Sequence, residues 1–170
     1  MAIVEGLAVE PLANRHDRAS FTCGVDALDR YLRRQAGQDM RRRITACLVL
    51  IARREPETIL GFHTLATTSI DLGGLPSGIA TRLPRYPSIP ATLLGRLAVA
   101  REHHGRGLGE LLLFDAFARS LVSEIATFAV VVDPIDESAR QFYGRYRFLP
   151  LSEDERRMFL PMSEIARLFA

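Results

Sequence analysis

Residues 93–122 read LLGRLAVAREHHGRGLGELLLFDAFARSLV, and the order of properties along them decides the fold. Leu93 to Val99 is an apolar run of strand length. Ala100 to His103 is a charged connector. His104 to Glu110, HGRGLGE, carries glycines at 105, 107 and 109. Beyond it Leu111, Phe114, Ala118, Leu121 and Val122 recur as on one face of a helix, widened by Leu112, Leu113 and Phe117. Asp115, Arg119 and Ser123 are the expected wet face, with an i,i+4 pair. The glycines therefore stand where a strand feeds a helix. The N–H groups of a first helical turn have no acceptor within the helix, and the dipole is positive there, so the place suits an anion such as phosphate. Arg106 adds a fixed positive charge, and glycine lets a ligand approach the backbone without a Cβ in the way.

Two common phosphate loops do not fit. A P-loop needs GxxxxGK followed by Ser or Thr, and this chain has no lysine: all 22 of its basic residues are arginine. A dinucleotide loop needs GxGxxG directly after the strand. Here the spacing is GxGxG, and five residues separate Val99 from Gly105. A glycine-rich helix entry with no ligand is the bland alternative.

The neighbouring segments extend the pattern. Residues 126–132, ATFAVVV, are a continuous apolar strand of the kind buried in a parallel pair, so strand, helix and strand form a right-handed βαβ unit. A helix follows from about Asp136, with Ala139, Phe142, Tyr143 and Tyr146 on its apolar face. A last strand is expected near 157–161, then a terminal helical turn. Upstream, residues 3–12 read as a strand closed by Pro11. Leu28, Tyr31, Leu32 and Ala36 mark an amphipathic helix from about Val25 to Gly37, with Asp26 and Asp29 early and Arg33 and Arg34 late. Residues 45–52 and 58–68 read as a hairpin around the turn RREPE. His63 lies in its second strand, as a packed histidine and not a ligand. Residues 69–92, broken by three glycines and four prolines, read as a long functional loop before the strand at 93.

Composition bounds the rest. At 170 residues, 48% hydrophobic and 25% charged, the chain suits one globular domain spanning 1–170. Its start carries Glu5 and no basic run, so no signal peptide is expected, and no apolar run reaches about 18 residues, so no membrane span is expected. Cys23 and Cys47 lack metal-type spacing and read as reduced thiols of a cytoplasmic protein; no metal site is expected. Net charge is only +2, yet residues 30–54 hold eight arginines against one acid, Asp39. Such a run is either a solvated face or a surface for a polyanion, RNA above all.

The segment His104-Gly105-Arg106-Gly107-Leu108-Gly109 resembles the acyl-CoA pyrophosphate loop of the GNAT acetyltransferase superfamily, Q/R-x-x-G-x-G/A, with His104 in place of Gln or Arg. The family's NxxAxxxYxxxGF pattern is resembled by Asp136, Ala139 and Tyr143, with Arg147-Phe148 for Gly-Phe. More narrowly, FTCGVDALDRYLRRQAGQD, ILGFHTLATTSIDL, LPRYPSIPATLLGRLAV, HGRGLGELLLFDA and DESARQFYGRYRFLPL, in that order, resemble GNAT toxins of type II toxin–antitoxin systems. The resemblance implies an α+β GNAT fold: a mixed, mostly antiparallel sheet, a parallel βαβ unit carrying the CoA loop, and helices on both faces. It implies a toxin that moves acetyl from acetyl-CoA to the α-amino group of aminoacyl-tRNA and so blocks translation. It also implies a ribbon-helix-helix antitoxin, operator DNA bound through the complex, and a homodimer.

Carried onto this sequence, the resemblance gives backbone donors at Leu97, Ala98 and Val99, CoA-binding residues at His104, Gly105, Arg106, Gly107, Leu108, Gly109, Glu110 and Asp136, and Tyr143 as catalytic acid. A phenol of ordinary pKa about 10 keeps its proton at neutral pH and can donate it to a departing thiolate. Backbone N–H groups can meet charge growing on the thioester oxygen. Glu102 and Glu110 are candidate bases by proximity only. The expected tRNA surface is Arg33, Arg34, Arg41, Arg42, Arg43, Arg82, Arg85 and Arg96. Two other readings stay open: an ordinary GNAT N-acetyltransferase for a small amine or a protein N-terminus, and a non-catalytic CoA- or nucleic-acid-binding module.

Overall fold

The computed structural model describes residues 5–151 and 156–170. Their strands are β1 (Leu7–Pro11), β2 (Ala46–Ala52), β3 (Glu55–Asp71), β4 (Ser88–Val99), β5 (Ala129–Val132), β6 (Leu149–Pro150) and β7 (Met158–Pro161). Their helices are α1 (Asp26–Arg34), α2 (Ala36–Arg41), α3 (Ser77–Ala80), α4 (Leu108–Leu121), α5 (Glu137–Gly144) and α6 (Met162–Leu168). The strands form a mixed sheet in the order β1-β2-β3-β4-β5-β7-β6. It is mostly antiparallel, with β4 and β5 parallel over Thr92–Leu94 against Val130–Val132. This is the α+β sheet expected, with α4 as the crossover between the parallel strands.

The chain groups into two compact units, Met1–Ala66 with Arg96–Ala118, and Thr67–Gly95 with Arg119–Ala170. In the first, strand alternation sends side chains to two clusters. Cys47, Val49 and Ile51 of β2, Phe62 of β3, and Ala98 of β4 pack with Tyr31, Leu32 and Ala36 of α1 and α2. Leu50, Leu97 and Val99, of opposite parity, and Leu60, turned to their side where the β2–β3 register shifts between Leu50 and Ile51, pack with Leu108, Leu111 and Leu112 of α4. Helices thus cover both faces here, as period-2 strands require. Gly61 makes the α4 side possible: a Cβ there would stand 2.8 Å from the Ala98 carbonyl oxygen and 2.9 Å from Leu112 Cδ1. In the second unit Ile70, Ile89, Ala91, Val131, Leu151 and Phe159 share one core.

Several boundaries move. The loop expected at 69–92 is mostly ordered structure. β3 runs on to Asp71, a 3-10 turn covers Leu72–Gly74, α3 follows, and β4 starts at Ser88 instead of 93. The cause is burial: Ile70, Ile89 and Ala91 are core residues that hold these ends in the sheet. Pro90 fits because its carbonyl still accepts the Phe128 N–H at 2.8 Å. The helix expected over 25–37 is two helices that meet at Gln35, whose φ of −115° departs from helical values. The first strand is Leu7–Pro11, and its expected residues 3 and 4 lie outside the described residues. The strand expected over 126–132 is Ala129–Val132. Asp115, expected on the wet face of α4, is buried at 1% exposure and pairs with His63.

Candidate active site

β4 ends at Val99, and the chain passes through the 3-10 turn Arg101–His103 to the glycine stretch. His104 Nε2 donates to the Val99 carbonyl at 2.7 Å and so ties the stretch to the end of the strand. Gly105 and Gly107 both have φ of +77°, in the left-handed region, which explains glycine at each. A Cβ built on either would meet nothing within 4 Å, so each faces open space. Arg106 is exposed between them, and its Nη1 donates to His103 Nδ1 at 3.2 Å. The Leu111 N–H donates to the Gly107 carbonyl at 3.1 Å. The Leu108, Gly109 and Glu110 N–H groups precede that bond, in the turn a helix cannot satisfy internally. Two left-handed glycines, a guanidinium and a helix start of this kind fit a pyrophosphate. Leu97, Ala98 and Val99 lie beyond the Thr92–Leu94 ladder with β5. Glu102 and Glu110 are both exposed.

Tyr143 belongs to the other compact unit, on α5. It is 7% exposed, with its ring 5.2 Å from Phe142 and 5.3 Å from Phe148. Burial pushes its pKa well above the ordinary phenol value. Among the described residues its hydroxyl has no hydrogen-bond partner. Asp136 is the N-cap of α5, its carboxylate accepting the Ala139 N–H at 2.8 Å. Arg147, where the family pattern has glycine, holds φ of +70°.

The arginines divide. Arg33 and Arg34 at the end of α1 and Arg41, Arg42 and Arg43 at the end of α2 are exposed in one unit; Arg82 and Arg85 are exposed in the other. Arg96 differs, being half-buried with its guanidinium 3.5 Å above the Tyr31 ring. The Tyr31 hydroxyl donates to Asp39 at 2.9 Å, and Gln35 donates to the other carboxylate oxygen at 2.9 Å. The Gln35 bond first, and then the Tyr31 bond, hold the Asp39 carboxyl below the usual range. Sequence reading passed over this assembly; the one acid among eight arginines was the available signal. Among the described residues no cluster of three or more His, Cys, Asp and Glu could hold a metal ion, and no helix is long and apolar enough to cross a membrane.

No protein-family model matches the chain. A tRNA-acetylating toxin of Mycobacterium tuberculosis (strain ATCC 25618 / H37Rv) is 31% identical over 159 residues, covering 92% of this chain and 93% of that protein. The chain belongs to the GNAT acetyltransferase toxins. Solved structures agree with that membership. AtaT complexed with acetyl-methionyl-tRNAfMet superposes on this toxin with a TM-score of 0.86 at 30% identity, over 96% of this chain and 99% of that one. A tyrosine-to-phenylalanine mutant of KacT gives a TM-score of 0.89 at 26% identity, over 97% and 100%. A like mutant of AtaT, bound to acetyl-CoA and the C-terminus of the antitoxin AtaR, gives 0.79 at 26% identity, over 98% and 99%. A KacTA–DNA complex gives 0.79 at 25% identity, over 96% and 98%.

Proposed function

We propose that this toxin transfers the acetyl group of acetyl-CoA to the α-amino group of an aminoacyl-tRNA, and so removes that tRNA from translation. The left-handed Gly105 and Gly107 at the head of α4 carry the proposal from the side of geometry, because they leave open space for a pyrophosphate against bare N–H groups. A relative at 31% identity acetylates tRNA by name, and AtaT is solved with an acetylated methionyl-tRNA. Residues 1–170 act as a single acetyltransferase domain in this reading, since the matched chains align over nearly all of both partners.

Acetyl-CoA supplies an activated acetyl thioester. The N–H groups of residues 105–110 and the Arg106 guanidinium bind its pyrophosphate, with His104 fixing the loop to Val99. Backbone N–H groups of Leu97, Ala98 and Val99 stabilise charge on the acyl oxygen. The Tyr143 hydroxyl donates its proton to the departing sulfur, and burial keeps that proton in place at neutral pH. Asp136 serves this part of the site through the first turn of α5. The acceptor amine attacks in its neutral form, its nitrogen loses a proton to water as the amide forms and the C–S bond breaks, and the Tyr143 phenolate regains its proton from solvent. Arg33, Arg34, Arg41, Arg42, Arg43, Arg82, Arg85 and Arg96 hold the tRNA. The antitoxin is of ribbon-helix-helix type and carries the toxin to operator DNA. The toxin acts as a homodimer in the cytoplasm.

Acceptor competition tests the reading. Radiolabelled acetyl should enter charged tRNA far faster than free amino acids or peptides. Each phosphate neutralised by an arginine contributes about −0.7 to −0.9 to the slope of log affinity against log salt, so tRNA binding should fall steeply with salt while acetyl-CoA binding changes little. Equal acetylation of peptides and charged tRNA, with no salt dependence, would instead favour an ordinary N-acetyltransferase.

A further inference from the structure

We infer that Arg96 is a stacking platform for the unpaired 3′-terminal adenosine of the acceptor; the inference rests on the aminoacyl-tRNA reading above. Alternation along β4 puts Arg96 and Ala98 on the side of α1 and α2, and Leu97 and Val99 on the side of α4. On the α1 side the layers are ordered. Phe62 is fully buried, and the Tyr31 ring lies nearly parallel to it, 17° between planes and 6.5 Å between centroids. The Arg96 guanidinium lies on Tyr31 at 3.5 Å. Tyr31 cannot turn away, because its hydroxyl is held by Asp39, which Gln35 holds in turn.

Arg96 ends the series, and what it lacks is informative. It is half-buried, and among the described residues its guanidinium makes no hydrogen bond or ion pair, while its charge reaches Asp39 beneath Tyr31 and helps hold that carboxyl low. A planar, weakly hydrated cation aligned on one aromatic ring can take another π-system on its second face and oxygen at its N–H edge. Unpaired bases stack on guanidinium planes and are held there without sequence readout. The 3′ end of a tRNA is single-stranded, and its terminal nucleotide carries the aminoacyl group itself. One stack would thus fix the nucleotide next to the amine to be acetylated. A solvated surface arginine needs none of this: Arg33, Arg34 and Arg41–Arg43 are exposed, and among the described residues no aromatic ring lies beneath them.

Acetyl transfer is measured with two acceptors, a charged tRNA and the same charged tRNA lacking only the base of its terminal nucleotide. With the unaltered protein, removing the base should raise KM about ten-fold, within the range one stacked base contributes. In Arg96→Lys, which keeps the charge and loses the plane, the two acceptors should differ by less than about two-fold. Equal KM values for the two acceptors with the unaltered protein overturn the inference, and that arm needs no variant to fold. A ten-fold difference that persists in Arg96→Lys also overturns it, since the base is then read elsewhere. A third acceptor, the methyl ester of the same amino acid, separates the two levels. If the unaltered protein acetylates the ester but not charged tRNA, the aminoacyl-tRNA reading itself fails and the platform falls with it.

Discussion

His63 of β3 and Asp115 of α4 meet at 2.8 Å, with the histidine side chain wholly and the aspartate side chain almost wholly removed from water. The contact joins a strand to the helix that begins at the glycine stretch. Removing one partner of a buried hydrogen bond leaves the other desolvated and unsatisfied, which costs about 1–3 kcal/mol. Asp115→Ala should therefore lower unfolding stability by roughly that much in urea titration, and Asp115→Asn by distinctly less, because an amide can still bond the imidazole. A loss in Asp115→Ala of well under 1 kcal/mol would show that the pair is dispensable.

That pair also shows which parts of the fold could be read along the chain. The strand–glycine–helix order at 93–122 is local, and so were the βαβ unit and the start of α5 near Asp136. The polarity of Asp115 suggested a wet face. Its partner is 52 residues away, and no periodicity within α4 discloses it. Tyr31 read as one apolar stripe residue for the same reason, since Arg96 comes to it from a distant strand. The ends of β3 and β4 were hidden by the glycines and prolines of residues 69–92, although Ile70, Ile89 and Ala91 are what anchor them.

Gly107 tests the loop. A Cβ at φ of +77° is strained by about 1 kcal/mol, and it would project into the open space proposed for the pyrophosphate. Gly107→Ala should stay folded, with stability reduced by about that amount, and should bind acetyl-CoA at least about ten-fold more weakly in calorimetry. Gly107→Glu, which adds a negative charge, should bind more weakly still. Unchanged affinity in both folded variants would remove the loop from the acetyl-CoA site.

Arg147 pays a backbone cost that glycine would not. Its φ of +70° follows the last turn of α5, where its N–H donates to the Gly144 carbonyl at 3.1 Å. Left-handed conformation costs an L-residue about 1–2 kcal/mol, partly offset by the greater unfolded-state entropy of glycine. Arg147→Gly should raise stability by about 0.5–1 kcal/mol. A lower melting temperature in the variant would mean that the Arg147 side chain contributes more than the strain removes.

The two thiols should show in alkaline stability. Burial pushes Cys47 from 9.0 up to about 12, and burial followed by the Asp29 hydrogen bond pushes Cys23 up to about 11. Both folded values lie above the unfolded ones, so the linked stability is full below pH 9 and is lost as pH climbs through 11 and 12. The melting temperature should be flat near neutrality and fall above pH 9. Cys47→Ala should make that fall shallower. A thiol reagent at neutral pH should label the cysteines only on unfolding, since the thiolate is the reactive form. Rapid labelling of the native protein would contradict the burial.

Tyr143→Phe isolates one hydroxyl. The ring stays among Phe142 and Phe148, and among the described residues the lost O–H breaks no hydrogen bond, so fold and acetyl-CoA affinity should be unchanged by circular dichroism and calorimetry. What goes is the proton for the departing sulfur. A lost general acid costs about 10²-fold or more, so kcat under saturating acetyl-CoA should fall at least that far. The pH profile gives a second check. Because burial raises the Tyr143 pKa, the phenol keeps its proton past its ordinary value, and kcat of the unaltered protein should show no alkaline decline from this group below pH 10. Turnover of Tyr143→Phe within a few-fold of the unaltered protein would assign the proton to water or another side chain. In cells lacking the antitoxin, the same variant should restore growth that the unaltered toxin arrests.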